Sequence, residues 1–236
     1  MTDEVRGYVL AGGRSSRMGV DKAELQLGGR TLLEIAVGKL AGICREVVVV
    51  GGRERVPAGV RVIEDLRPGC GPIGGMTAAL RDAGTGRAMF LPVDMPLIPE
   101  ELLRRVAAEW MGIGGRVAFA VSDGIAQPLV SLVGAEFGGE FEEAVERGEY
   151  RVRVLLEECG AAAGGVRRAE IDTGIGRESV WPGWMPDEEA WRTRALWFAN
   201  LNTPDEFAEA ERLAGRGACL PSRDWVMQVG PVLGDR

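Results

Sequence analysis

Leu10-Ala11-Gly12-Gly13-Arg14-Ser15-Ser16-Arg17-Met18-Gly19-Val20-Asp21-Lys22 follows directly on a short apolar run, Gly7-Tyr8-Val9-Leu10. The run reads as the first strand of an α/β sheet. Glycines at 12, 13 and 19 let backbone amides come close to a bound group and permit positive φ. Within the turn three cations, Arg14, Arg17 and Lys22, stand against one acid, Asp21, although the whole chain carries a net charge of −7. A basic, glycine-rich turn at the end of a first strand suits phosphate, because free N–H groups and positive charge converge there.

The two commonest phosphate loops do not fit. A P-loop needs G-x-x-x-x-G-K-[ST], but Lys22 is followed by Ala23. The dinucleotide fingerprint needs G-x-G-x-x-G, which Gly12-Gly13 and Gly19 do not supply. Read alone, the stretch is also compatible with a strand-to-helix turn carrying solvated charges. The composition narrows the chemistry. The chain of 236 residues contains no histidine, which excludes a Ser-His-Asp triad, a histidine base and a histidine-ligated zinc. Any metal must then rely mainly on carboxylates, which favours a hard cation such as Mg2+. Four well-separated cysteines, Cys44, Cys70, Cys159 and Cys219, offer neither zinc spacing nor a disulfide framework. The negative net charge argues against a nucleic-acid partner. With no run of eighteen apolar residues and an acidic N-terminus, the expectation is no membrane span, no signal peptide and a cytoplasmic location.

Outward from the loop, Thr31 is placed to cap a helix over 32–41, and Val47–Val50 reads as a buried strand. Strand, helix and strand in about fifty residues make a βαβ unit and imply a parallel sheet. Val60–Ile63 is a third strand with Asp65 beyond its end, and Ala88–Val93 is a fourth, ending at Asp94. Pro92 predicts an interrupted ladder. Helices are expected over about 76–83, 99–110, 136–147 and 151–158, a hairpin over 117–133, and a last strand over 195–199. A Trp-rich stretch at 164–194 breaks the pattern; its tryptophans are read as anchors packing a loop to the body, with an aromatic platform for a flat ligand as the alternative. The expected organisation is a single α/β domain over 1–214 with that insertion, then a tail over 215–236 without an assigned role. Three features fall at carboxyl ends of predicted parallel strands: the loop after Leu10, Asp65 and Asp94. Open α/β sheets bind ligands along that edge.

The pattern L-A-G-G-x-x-x-R-M-G-x-D-K resembles that of the molybdenum cofactor guanylyltransferases, within a wider group of nucleotidyltransferases. Gly71-Pro72-Ile73-Gly74-Gly75-Met76, Gln127–Val133, Gly148–Val152 and Asn200-Leu201-Asn202-Thr203-Pro204-Asp205-Glu206 resemble later family segments in the same order. The resemblance implies a doubly wound, mostly parallel sheet, a Rossmann variant like that of nucleotide-diphospho-sugar transferases. It implies transfer of GMP from GTP to the phosphate of Mo-molybdopterin, with release of pyrophosphate. In that reading Leu10, Ala11, Gly12 and Gly13 offer main-chain contacts to GTP, and Asp65 contacts the nucleotide. Arg17 and Lys22 meet triphosphate oxygens, and Asp94 holds Mg2+ and contacts GTP. As a residue on its own, Asp94 is equally a turn aspartate ahead of Pro96. Molybdoenzymes or cofactor chaperones are candidate further partners. Some members carry an asparagine at the end of the second strand, where this chain has Val50-Gly51-Gly52, which leaves base selectivity open. The alternatives are a molybdopterin cytidylyltransferase or another nucleotidyltransferase of the fold, and a non-catalytic GTP-binding partner of molybdoenzymes.

Overall fold

Seven strands form one sheet, and the strand that feeds the glycine-rich loop lies inside it, third in order and paired on both sides. The computed structural model describes residues 5–12, 21–51, 56–112, 115–174 and 176–214. In chain order its elements are β1 (Val5–Leu10), β2 (Gln26–Leu27), β3 (Arg30–Thr31), α1 (Leu32–Ala41), β4 (Glu46–Val50) and β5 (Arg61–Ile63). Next come α2 (Pro72–Ala83), β6 (Arg87–Pro92), α3 (Glu100–Gly112), β7 (Val117–Ser122) and β8 (Ile125–Gly134). The last are α4 (Gly138–Glu146), α5 (Val152–Ala162), β9 (Arg167–Ile171), α6 (Glu188–Arg192) and α7 (Pro204–Ala214). The sheet order is β5-β4-β1-β6-β8-β7-β9, with β8 alone antiparallel to its neighbours, and β2–β3 is a separate small hairpin.

The central strands are apolar on both sides because both faces are covered. Val9, Val47, Val49, Met89 and Leu91 face a core with α1 and α3. Tyr8, Val48, Val50, Ala88 and Phe90 face a second core with α2, α4 and α5. Gly7 shares the α1 face with Val9, and a Cβ there would sit 3.0 Å from Leu40 Cβ, so the missing side chain sets how closely α1 approaches. The α1 start is as expected: Thr31 Oγ1 accepts from Glu34 N–H at 3.1 Å and Glu34 Oε2 accepts from Thr31 N–H at 2.7 Å, a reciprocal cap. Buried in this helix is Lys39, whose ammonium donates to the carbonyls of Pro96 and Ile98, in the loop after Asp94.

Pro92 does not break a ladder, contrary to expectation, because pairing with β1 continues through it and pairing with β8 ends before it. Val93 N–H reaches Leu10 C=O at 3.1 Å, so the β1 ladder runs past the proline. Successive N–H groups alternate sides, which turns the proline's missing donor towards β8. That ladder has already ended at Phe90–Ser131. The sheet therefore parts beyond Phe90, leaving a gap at its carboxyl edge.

Three further sequence expectations change. Residues 195–199 are not a strand: Arg194–Leu196 is a single 3-10 turn. Trp197 is fully buried there, its Nε1–H donating to Ala190 C=O at 3.1 Å and to Thr193 Oγ1 at 3.2 Å. A short apolar run satisfied by one buried indole needs no ladder. Helix α2 begins at Pro72, four residues before its predicted start, with Gly71 at φ +72 ahead of it. Within 164–194, Arg167–Ile171 forms the edge strand β9, parallel to β7. The tryptophans that follow behave as anchors: Trp181 is buried, Trp184 and Trp197 rings lie 6.0 Å apart, and all pack on the α1–α3 core. No helix among the described residues is long and apolar enough to cross a membrane.

At the amino edge of the sheet, Asp82 at the end of α2 takes two hydrogen bonds from Arg61 (2.6 and 2.8 Å) and one from Tyr8 Oη–H (2.8 Å). Arg61 also meets Glu46 at 2.9 Å, tying β4, β5 and α2 together away from the carboxyl edge.

Candidate active site

The chain runs from β1 to β4 on one side and returns to β6 on the other, so the order reverses between β1 and β6. A cavity of about 1020 Å3 opens there, lined by Leu10, Ala11, Gly12, Lys22, Asp65 and Asp94 among others. All six are residues expected at the site from the sequence. Gly13 and Arg17, the other two, lie outside the described residues, as does the tail from 215.

Close backbone packing builds the wall. Ala11 N–H donates to Val50 C=O at 3.1 Å, and Gly51 N–H to Ile63 C=O at 3.0 Å. Gly51 has φ +117, and a Cβ on it would stand 2.7 Å from Gly12 N. Only glycine lets β4 end this near the loop. Next to it, a Cβ on Gly74 would collide with Asp65 Oδ1 and come within 2.7 Å of Arg67 C=O. The glycine thus lets the first turn of α2 press against the Asp65 loop. Asp65 Oδ1 accepts from Arg67 N–H at 2.8 Å, which fixes its carboxylate.

Lys22 opens a single 3-10 turn, Lys22–Glu24, capped by Asp21, whose Oδ1 accepts from Ala23 N–H at 3.0 Å. Its Nζ donates to Asp94 Oδ2 at 3.1 Å and to Asn202 Oδ1 at 2.5 Å. Asn202 is a site residue that the sequence reading quoted within a family segment without giving it a role. Its neighbours hold it in place: Leu201 N–H donates to Asp94 C=O at 3.0 Å, and Glu206 Oε2 accepts from the N–H groups of Asn202 (2.8 Å) and Thr203 (2.9 Å). The Asn202 N–H, together with Thr203 and the nearby Lys22 charge, holds the Glu206 carboxyl below the usual glutamate range.

Asp21, Glu64, Asp65 and Asp94 line the cavity, against the single cation Lys22 among its described lining residues. Among the described residues, no group of three or more Cys, Asp or Glu is arranged to hold a metal by itself. Among the described residues the Asp94 carboxylate accepts only from Lys22, through Oδ2. Its other oxygen suits a hard cation shared with ligand phosphates, since Mg2+ typically takes one or two carboxylates and completes its shell with phosphate and water.

A doubly wound sheet with a glycine-rich loop, a lysine and an aspartate converging at its switch point defines a nucleotidyltransferase fold. Comparison with known proteins agrees. The family model described as MobA-like NTP transferase domain matches residues 7–163. A molybdenum cofactor guanylyltransferase of Rhizobium meliloti (strain 1021) is 32% identical over 213 residues, covering 86% of this chain and 88% of that protein. One from Serratia proteamaculans (strain 568) is 31% identical over 167 residues, covering 68% and 83%. The crystal structure of molybdopterin-guanine dinucleotide biosynthesis protein A from Archaeoglobus fulgidus shares the fold, with a TM-score of 0.65 at 24% identity over 89% of this chain and 99% of that one. The chain belongs to the MobA-like NTP transferase family, among the molybdenum cofactor guanylyltransferases.

Proposed function

We propose that the protein transfers GMP from GTP to the phosphate of Mo-molybdopterin, giving the guanine dinucleotide cofactor and pyrophosphate, with Mg2+ as its metal. The observation that carries this reading is the Lys22–Asp94–Asn202 contact at the sheet's switch point, beside Asp65. An acceptor phosphate is already anionic near neutral pH, so attack on the α-phosphate needs no general base. The chain's lack of histidine is then consistent with the chemistry.

Each residue has a task. The Gly12 backbone, kept open by Gly51, receives the nucleotide. Asp65, whose carboxylate lies beside Gly12, orients it. Lys22 neutralises triphosphate oxygens and the departing pyrophosphate, a stabilisation that grows as charge develops. Arg17 is assigned the same duty. Asp94 would hold Mg2+ and orient Lys22. When bound, the metal would supply positive charge beside the four carboxylates that line the cavity among the described residues.

The test is pyrophosphate release with Mo-molybdopterin, with and without Mg2+, comparing GTP, CTP, ATP and UTP. Release with GTP and Mg2+, lost in Asp94→Ala and Lys22→Ala, supports the assignment. Preference for CTP moves the activity to the cytidylyl class. Tight GTP binding without release by the unaltered protein would overturn the enzyme reading.

A further inference from the structure

Lys22 and Asp94 are each assigned to a ligand, yet in the structure they hold each other. The Lys22 ammonium donates to Asp94 Oδ2 at 3.1 Å, and the two side chains are only 17% and 22% exposed. An ammonium on one oxygen of a carboxylate and a divalent cation on the other repel, and partial burial leaves that repulsion poorly screened. Among the described residues no group of three or more Cys, Asp or Glu gathers at Asp94 to absorb the excess positive charge. Metal and lysine therefore compete for this carboxylate until something anionic takes one of them.

The surroundings decide which partner moves. Asp94 is pinned through its backbone. Its C=O accepts from Leu201 N–H at 3.0 Å, and the preceding Val93 N–H donates to Leu10 C=O at 3.1 Å. Just beyond it, the buried Lys39 ammonium holds the carbonyls of Pro96 and Ile98. Lys22 instead carries its charge on a flexible four-carbon stem. It also has a second acceptor, the neutral Asn202 Oδ1, 2.5 Å from Nζ. The ammonium can thus leave Asp94 without losing its last partner. The lysine is the movable element and the aspartate the fixed one.

We propose that Lys22 guards the metal seat on Asp94. With no nucleotide bound, its ammonium sits on the carboxylate and disfavours a divalent cation there. A triphosphate draws the ammonium to its own oxygens and frees the carboxylate, so the cation enters with the nucleotide and not ahead of it. One side chain then couples the two binding events, each favouring the other. The inference rests on the nucleotidyl-transfer reading with Asp94 as the metal ligand.

The experiment uses Mn2+ as the probe, an ion that like Mg2+ prefers oxygen ligands, and reads the free ion by electron paramagnetic resonance. Binding is measured without nucleotide in the unaltered chain, Lys22→Met, Lys22→Arg, Asp94→Asn and the Lys22→Met/Asp94→Asn double variant. Lys22→Met is expected to bind Mn2+ about tenfold more tightly than the unaltered chain, the scale of one unit charge removed from beside a divalent ion. Lys22→Arg, which keeps the charge, is expected to match the unaltered chain. Lys22→Met/Asp94→Asn is expected to bind no more tightly than Asp94→Asn. With GTP present the order inverts: Lys22→Met is expected to hold the Mn2+–GTP complex about tenfold less tightly, having lost a charged contact to the triphosphate. A merely structural lysine gives no such change of sign. Absence of any gain in nucleotide-free Lys22→Met overturns the guard, and so does a gain that persists in the Asp94→Asn background. The nucleotide-free arm needs no turnover. A protein that releases no pyrophosphate from GTP therefore refutes the reaction, while the Mn2+ comparison still decides the guard. Thermal melts of the variants confirm that the fold is kept.

Discussion

Lys22 and Asn202, 180 residues apart in the sequence, meet with Nζ 2.5 Å from Oδ1. The amide oxygen orients the ammonium without neutralising it, whereas Asp94 on its other side does both. Asn202→Ala is expected to lower kcat/KM for pyrophosphate release about tenfold, the scale of a hydrogen bond to a charged group. Lys22→Ala costs more, about a hundredfold. Because both act through one ammonium, the double variant is expected to be hardly worse than Lys22→Ala. Independent, multiplying losses in that cycle would refute the shared role.

Gly51→Ala forces a methyl to within 2.7 Å of Gly12 N at a φ of +117. Strain of about 1–3 kcal/mol is expected, read as a lower urea midpoint together with weaker GTP binding. Gly74→Ala places its methyl on the Asp65 carboxylate and Arg67 carbonyl. Alanine favours helix over glycine, so here GTP affinity is expected to fall with little loss of helix. Circular dichroism beside a GTP titration separates the two effects.

Lys39→Met keeps the length of a buried side chain but leaves the Pro96 and Ile98 carbonyls without its donors. A loss of about 2 kcal/mol is expected from unpaired buried acceptors, measured by urea denaturation. Since that loop follows Asp94 directly, Mg2+ dependence of the remaining activity should shift to higher concentration. Unchanged stability and metal dependence would show that the ammonium serves neither.

The Asp82 carboxyl is held below its ordinary range, chiefly by hydrogen bonds from Arg61. A depressed folded value means stabilisation that is present above the unfolded value of 3.8 and disappears as pH falls through the folded one. Asp82→Asn is therefore expected to be less stable at neutral pH and to lose less stability between about pH 5 and about pH 2. Denaturant midpoints across that range provide the check; parallel curves for the two proteins would count against it.

Local chemistry made much of this molecule readable in advance. Thr31 and Glu34 announce a helix start through their spacing, and Val47–Val50 can only be a strand covered on both faces. Asp65 and Asp94 were placed correctly because the βαβ rule puts every parallel strand's end on one edge. Distant contacts were not readable. Asn202 has no local feature that names Lys22 as its partner. Lys39 looks like an ordinary polar position in an amphipathic helix, and only the tertiary fold shows it buried. Residues 195–199 are too short and uniformly apolar to separate a strand from a buried turn, and Trp197 settled the matter by packing. Gly51 and Gly74 are glycines for reasons that lie in segments distant in sequence and packed against them, in Gly12 and Asp65.

The Asn202 contact also bears on how the protein is made. Translation delivers Lys22 and Asp94 well before residue 202, so the lysine gains its neutral partner only once most of the chain has been made. The segment that finishes the site is among the last of the described residues to leave the ribosome. A chain broken off before Asn202 would still contain the sequence of all its strands but would offer its lysine only Asp94 of these two partners.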